Sequence, residues 1–323
     1  MERVVRTGYK EKVAPPKHHP KMIVGRPPWT EFKRTGRLER LILQLGEGRG
    51  AFSEINGIPR SMGCIGNNRF ILRRARLTMV EVEKILDEFQ SAGGMEVWIT
   101  NYDDISDLLH AARYAHDIGI ANTYAVVLAE DLDELPNSGL EGINIIVELL
   151  YSEKSLGLIE SLNERHVHGV LIVTDTQNYP NIPKDVKFDG EVFIDVLYPP
   201  SVNLLNESFL SFKMLPIDQR GKHPCMSGMV AVTGDGYVVP CPLIRGYVIG
   251  DLRQESLTKV IRKRKLRAFW KILNEIEECS KCPLRDLCHD CRAINYQVTG
   301  DLFGVEYCGR EVLGNRIQEL YEL

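Results

Sequence analysis

Seven of the eight cysteines in this 323-residue chain lie in its last hundred residues: Cys225, Cys241, Cys279, Cys282, Cys288, Cys291 and Cys308. The eighth, Cys64, stands apart. The density is too low for a disulfide scaffold, and thiols crowded into one segment read as metal ligands rather than as core filler. The spacing is ordered. Cys225 is followed by ten residues, Gly236, four residues and Cys241. After a gap come Cys279-Ser280-Lys281-Cys282, five residues to Cys288, two to Cys291, and a second gap to Cys308.

The elements around these thiols are of two kinds. Residues 38–216 alternate short apolar runs with amphipathic helical patterns. The runs at 41–45, 95–100, 124–129, 143–150, 169–174 and 191–197 are nearly continuous in Val, Ile and Leu, as strands buried on both faces are. Thr78 to Glu81 forms a capping box before Val82, Ile85, Leu86 and Phe89, and Gly93-Gly94 closes that helix. Asp104 and Ser152 open two more. Such alternation predicts a parallel sheet, and six strands are too few for a closed eight-stranded barrel, so an open or partial barrel is expected. Sites in such sheets lie beyond the carboxyl ends of the strands.

Residues 217–323 read as a small cysteine-rich domain. It starts with a hairpin, Val230-Ala231-Val232 and Tyr237-Val238-Val239 about a Gly-rich turn, and continues with helices over 257–273 and 312–323. Residues 1–37 carry ten Lys or Arg against three Glu, with five prolines, and read as a basic extended arm. That arm is a solvated leader packed loosely on the body or a docking segment for an acidic partner. The run Arg262-Lys263-Arg264-Lys265 is a solvated face or a second docking surface. With 40 basic and 44 acidic residues there is no global field for nucleic acid. No apolar run is long enough to span a membrane and the N-terminus shows no secretory signal, so a cytoplasmic protein is expected.

The cysteine order resembles the SPASM domain, C-x(9–15)-G-x4-C, gap, C-x2-C-x5-C-x3-C, gap, C, departing from it only at Cys288-His289-Asp290-Cys291, where two residues intervene instead of three. That domain is the C-terminal extension of many radical S-adenosylmethionine (SAM) enzymes that modify peptides and proteins. The resemblance implies an α/β fold, a partial (β/α)6-type radical-SAM-like barrel followed by a SPASM domain. It also implies two auxiliary [4Fe–4S] clusters, since a cube takes four thiolate ligands. Cys279, Cys282, Cys288 and Cys308 would hold one. Cys225, Cys241 and Cys291 would hold the second, its fourth iron left to Asp290, His289, His223, water or an exogenous ligand. Structural zinc is the alternative, because C-x2-C pairs also make zinc sites.

The same resemblance shows what this chain lacks. The family carries C-x3-C-x2-C after its first strand, and the loop over residues 46–77 offers only Cys64, read here as a relic or a small buried hydrophobe, with a redox or ligand role as the alternative. The family's Gly-Gly-Glu, which contacts the SAM amino group, is replaced by Asn101-Tyr102-Asp103. No adenosyl-binding glycine motif stands near Thr174-Asp175. SAM is therefore not expected as a cofactor. His110, His116, His166 and His168 show no ligand pattern and read as structural. The expectation is an iron–sulfur protein with a degenerate radical SAM motif. It would act as an electron-transfer, substrate-positioning or stabilising subunit beside a protein or peptide partner, such as an active radical SAM enzyme. The alternative is an enzyme acting on a peptide or cofactor precursor. A third class is a zinc-stabilised interaction module without redox function. The apolar-walled mouth at the strand ends would receive the peptide or partner.

Overall fold

A computed structural model describes residues 22–24, 36–52, 54–100, 103–136, 138–198, 222–223, 225–283, 285, 288, 291–306 and 308. The body alternates β2 (Arg40–Gln44), α1 (Met79–Ser91), β3 (Glu96–Thr100), α2 (Ile105–Asp117), β4 (Asn122–Leu128), β5 (Ile143–Leu150), α3 (Glu153–Ser161), β6 (Gly169–Asp175) and β7 (Glu191–Leu197). All six expected strands form, with bounds shifted by two residues at most. The helices start where the capping residues place them. Thr78 and Glu81 exchange side-chain and backbone bonds at the head of α1, and the Asp104 carboxylate accepts from the Ser106 N–H at 2.6 Å. Val82, Ile85, Leu86 and Phe89 are the buried face of α1. The crossovers from β4 to β5 and from β6 to β7 carry only short 3-10 turns, Ala129–Glu134 and Tyr179–Asn181.

The sheet has ten strands in the order β1-β7-β6-β5-β4-β3-β2-β8-β9-β10, and every pairing along that order from β1 as far as β8 is parallel. It is an open, mostly parallel α/β sheet, the architecture expected of a partial barrel. Every residue of β2 and β3 is buried, and the Trp98 and Tyr124 rings stack at 4.0 Å across β3 and β4. The charges inside are paired: Arg40 Nε donates to Glu96 Oε1 at 2.9 Å, and Trp98 Nε1 donates to the same oxygen at 2.8 Å.

Both ends of this sheet differ from what local pattern conveys. Met22–Val24, within the segment read as an extended arm, is strand β1, parallel to β7 in the register Met22↔Val192. At the other end, β8 (Met229–Val232) of the expected hairpin pairs parallel with β2, Arg40↔Met229 through Leu43↔Val232. β9 (Tyr237–Val239) then returns antiparallel to β8, and β10 (Gly250–Asp251) antiparallel to β9. The cysteine-rich segment thus continues the body's own sheet. Two arginines reinforce the seam. Arg74 grips Asp251 through both terminal nitrogens at 2.8 and 2.6 Å, and Arg253 Nε donates to Glu81 at 2.7 Å.

The stretch 257–273 is not one helix but α4 (Leu257–Ile261), α5 (Arg264–Phe269) and a 3-10 turn over Ile272–Asn274. The break falls at Lys263, whose backbone is extended at φ −66° and ψ 133°. Its ammonium reaches the Ile249 carbonyl at 3.0 Å and pairs with Glu255, while Lys265 reaches the Val248 carbonyl at 2.8 Å. Two lysines of the expected solvated run therefore tie these helices to the segment leading into β10. α6 (Glu277–Ser280) and α7 (Arg292–Thr299) complete the described helices, and Gly300 ends α7 in the left-handed region at φ 74°. The expected helix over 312–323, most of the arm and the boundary near 216 lie outside the described residues. Among the described residues no helix is long and apolar enough to cross a membrane.

Candidate metal centre

Beyond the carboxyl end of β2, the loop over residues 46–77 folds down onto the ends of β5 and β7 and is held there by buried polar groups. Arg60 is its anchor. Nε donates to Asp195 Oδ2 at 2.6 Å, and Nη1 donates to Asn68 Oδ1 at 2.8 Å and to Glu148 Oε1 at 3.3 Å. Arg60 and Asp195 are fully buried and Glu148 nearly so. Asp195 Oδ1 also accepts from the Met62 N–H at 2.9 Å, and Glu148 Oε2 from the Asn67 N–H at 2.6 Å. Burial would pull the Arg60 guanidinium below its usual value, but the two carboxylates outweigh it and hold it above. Burial also raises Glu148, against the opposing pull of Arg60.

The turns of the loop need close backbone approach. The Asn67 side-chain oxygen accepts from the Arg49 and Gly50 N–H groups, both at 3.1 Å, and a Cβ on Gly50 would collide with the Asn67 carbonyl. A Cβ on Gly66 would meet the Arg60 guanidinium and the Glu148 carboxylate, the latter at 2.9 Å. Asp103, the last residue of the Asn101-Tyr102-Asp103 segment, accepts from the Gly48 N–H at 3.0 Å and pairs with Arg76 at 3.4 Å. Asn101 and Tyr102 lie outside the described residues. Beside the packed loop an open cleft of about 410 Å3 remains at the ends of β4 and β5, walled by Phe52, Leu149 and Leu158 and rimmed by Arg49 and Lys154.

Three of the expected ligands come together. Cys225, Cys241 and Cys291 line one narrow cavity, and Cys64 forms part of the same wall. Met226, Met229 and Ile244 add apolar wall, and Ser61 and Arg292 also line the cavity. Each thiol is placed by a different local device. Cys225 follows His223, whose Nδ1 accepts from the N–H groups of Cys225 and Met226 at 3.2 and 3.1 Å and lies 3.6 Å from the Cys225 sulfur. Cys241 follows β9 in a turn closed by the Ile244 N–H to the Cys241 carbonyl at 2.9 Å. Cys291 stands at the N-terminus of α7, where the helix dipole favours a thiolate.

Burial dominates the electrostatics of the two inner thiols. Burial pushes Cys241 up to about 12, opposed by the Leu243 and Ile244 N–H groups, which favour its thiolate. Burial also raises Cys64 well above its usual value, and the sulfurs of Cys241, Cys225 and Cys291 add to that rise. The two buried thiols, Cys64 and Cys241, are disfavoured as thiolates by their surroundings, and a cation beside them would supply the opposing charge. Among the described residues no three His, Cys, Asp or Glu side chains converge as ligands of a single ion. The thiols instead face a shared space from separate walls. The donor set of sulfurs backed by N–H groups fits iron–sulfur ligation, where N–H groups aimed at sulfur tune the cluster.

Comparison with known families agrees over this segment. A family model described as "SPASM: Iron-sulfur cluster-binding domain" matches residues 224–292. Over these residues the tail matches the SPASM family. Among solved structures, the chain is similar to SuiB of Streptococcus suis bound to S-adenosylmethionine, at 12% identity and a TM-score of 0.47, covering 84% of this chain and 76% of that one. It is also similar to SuiB crystallised separately, at 12% identity and a TM-score of 0.45 over 83% of this chain and 76% of that one. BtrN in an open conformation follows at 11% identity and a TM-score of 0.36, over 76% of this chain and 92% of that one. A sequence search of the curated proteins finds no match.

The other four expected ligands, Cys279, Cys282, Cys288 and Cys308, do not line this cavity. Cys279 lies in α6, the Cys282 N–H donates to its carbonyl at 3.1 Å, and Cys282, Cys288 and Cys308 are each half-buried. Cys308 falls beyond the matched segment, and His289 and Asp290 lie outside the described residues. Two of the histidines without a ligand pattern make side-chain contacts within the body. His110 pairs with Glu83 at 2.7 Å, and His168 packs edge-on to Tyr124 with ring centres 5.7 Å apart.

Two features of the site are absent from the sequence reading. The Arg60–Glu148–Asp195 knot joins three elements far apart in the chain, and no local pattern marks its members. The placement of Cys64 beside the SPASM thiols had one available signal: eight cysteines are the number that two four-thiolate sites require.

Proposed function

We propose that this chain is an iron–sulfur protein carrying two auxiliary [4Fe–4S] clusters that does not cleave SAM. It serves a modification or maturation system as an electron-transfer or substrate-positioning subunit. The observation that carries the reading is the packed loop. Where the family resemblance calls for three thiolates and an exposed cluster, residues 60–68 are locked onto Asp195 and Glu148 by a buried arginine. The single cysteine of that loop, Cys64, faces the SPASM cavity. Asp103, at the place of the SAM-amino contact, is engaged with the loop backbone.

In this reading Cys225, Cys241 and Cys291 hold one cluster, and Cys279, Cys282, Cys288 and Cys308 the other. The clusters supply reversible one-electron capacity. The chain's own residues keep water from the sulfurs through Met226, Met229 and Ile244, and direct the Leu243 and Ile244 N–H groups at Cys241. The partner is a protein or peptide, with an active radical SAM enzyme as the proposed type. A groove lined by Lys222, Arg264, Arg267 and Lys271 supports a docking surface for an acidic partner, to which the basic arm would add. The second reading, an enzyme acting on a peptide or cofactor precursor, draws on the open cleft at the ends of β4 and β5.

The test is direct. Anaerobically reconstituted, dithionite-reduced protein is incubated with SAM. The expected result is neither tight SAM binding nor 5′-deoxyadenosine. Turnover above the uncoupled background that depends on Cys64 would overturn the reading in favour of the enzyme. Colourless protein with stoichiometric zinc would replace it by the zinc-stabilised interaction module.

A further inference from the structure

We propose that Cys64 is the fourth thiolate of the cluster held by Cys225, Cys241 and Cys291, so that the body and the SPASM domain share one coordinatively complete cluster. The inference rests on the iron–sulfur reading above and goes beyond it by closing the position left to water, an acid or an exogenous ligand.

Four observations converge on it. Cys64 lines the same cavity as the three SPASM thiols and is only 6% exposed. Its backbone is not free to drift. Arg60 and Met62, on one side, bond to Asp195, and on the other Asn67 bonds to Glu148. A turn closed by the Ile65 N–H to the Met62 carbonyl at 3.0 Å carries Cys64 at the centre of this clamp. The Asn68 amide donates to the carbonyls of Gly63 and Gly66, bracing the residues on either side of Cys64. A relic cysteine would need none of this to face other thiols.

The alternative ligand within the described residues is His223, but it does not line the cavity, and because its Nδ1 accepts from two backbone N–H groups the neutral ring carries its proton on the buried Nε2. A thiolate from Cys64 matches the other three in charge and softness. It also makes the eight cysteines sum to two four-thiolate sites. The functional consequence is specific. A cluster with four thiolates has no open iron on which to bind a peptide thiol or amide, so this site is suited to passing electrons and to fastening the tail onto the body rather than to anchoring substrate.

The experiment compares full-length wild type, Cys64→Ala and Cys64→Ser after anaerobic reconstitution with iron and sulfide. Iron content, Mössbauer spectra and EPR are read before and after ferricyanide, and with cyanide as a probe of open iron. Wild type is expected to be indifferent to cyanide and to hold its iron through mild oxidation. Cys64→Ala is expected to lose about one iron per chain on oxidation, to show a [3Fe–4S] signal, and to respond to cyanide. Cys64→Ser, with an oxygen ligand in place of sulfur, is expected to keep its iron with one altered Mössbauer site. Wild type that binds cyanide, or a Cys64→Ser chain with unchanged spectra, would overturn the proposal even if Cys64→Ala fails to fold. Wild type that takes up zinc and no iron would bring down the iron–sulfur reading itself, and this inference with it.

Discussion

Replacing Arg60 by Leu removes the guanidinium that neutralises two interior carboxylates. Asp195 would lose its ion pair with Arg60, Glu148 its contact at 3.3 Å, and Asn68 its donor at 2.8 Å, all out of reach of solvent. Breaking a buried pair by removing one partner costs about 3–5 kcal/mol, because an uncompensated charge stays behind. For a chain of 323 residues the unfolding entropy near the midpoint is about 0.7 kcal/mol/K, so the melting temperature should fall by about 4–7 °C. The cost should also depend on pH. Burial holds Glu148 above the usual carboxylate range even with Arg60 present. A carboxyl whose pKa is higher folded than unfolded binds more protons in the folded state, so its contribution worsens as pH rises through that window. Without Arg60 the window extends upward, and the deficit of the variant should be largest near pH 7.5 and shrink toward about pH 5.5. Calorimetric or circular-dichroism melts of anaerobically loaded wild type and variant at both pH values provide the assay. A melting point within about 1 °C of wild type, or a deficit that grows as pH falls, would refute the view that Arg60 is the charge-compensating anchor of the loop.

Other outcomes follow from the same geometry. Anaerobically purified protein should be brown, with about eight iron and eight sulfide per chain by chemical analysis. Cys282→Ala should remove one cluster and destabilise the tail, and Cys241→Ala should affect only the other, as told apart by Mössbauer spectra. Glu81 is lowered to about 2, first by its bonds with Arg253 and then by the Thr78 N–H and hydroxyl. Its contribution is therefore complete above about pH 4.5 and is lost as pH falls toward 2, and Arg253→Ala should return the Glu81 pKa toward 4.5 in an NMR titration. Removing residues 1–21 leaves strand β1 intact, so any loss of binding to an acidic partner isolates the basic arm. That loss should disappear at high salt, where the Debye length drops to about 3 Å at 1 M.

The sequence by itself determined the parts of this protein whose causes are local. Apolar runs at 143–150 and 191–197 become β5 and β7 because strands covered on both faces need continuous hydrophobicity. Thr78, Asp104 and Ser152 start α1, α2 and α3 because a side-chain oxygen must satisfy the first free N–H groups. The spacing of Cys225, Gly236 and Cys241 marked the SPASM domain for a similar reason, since a hairpin of fixed length delivers both thiols to one place. Tertiary structure alone decided the pairings between distant segments. That β8 lies parallel to β2, and that Met22–Val24 adds an edge strand to β7, depends on which sheet edges remain open once the body has formed. Arg60 meets Asp195 and Glu148 only because the strands carrying them end on the same side of the sheet. Cys64 reaches the cavity of Cys225, Cys241 and Cys291 through that clamp together with the seam at β2 and β8. No local pattern encodes such a meeting, because it is set by how the sheet is ordered rather than by what stands next to each residue in the chain.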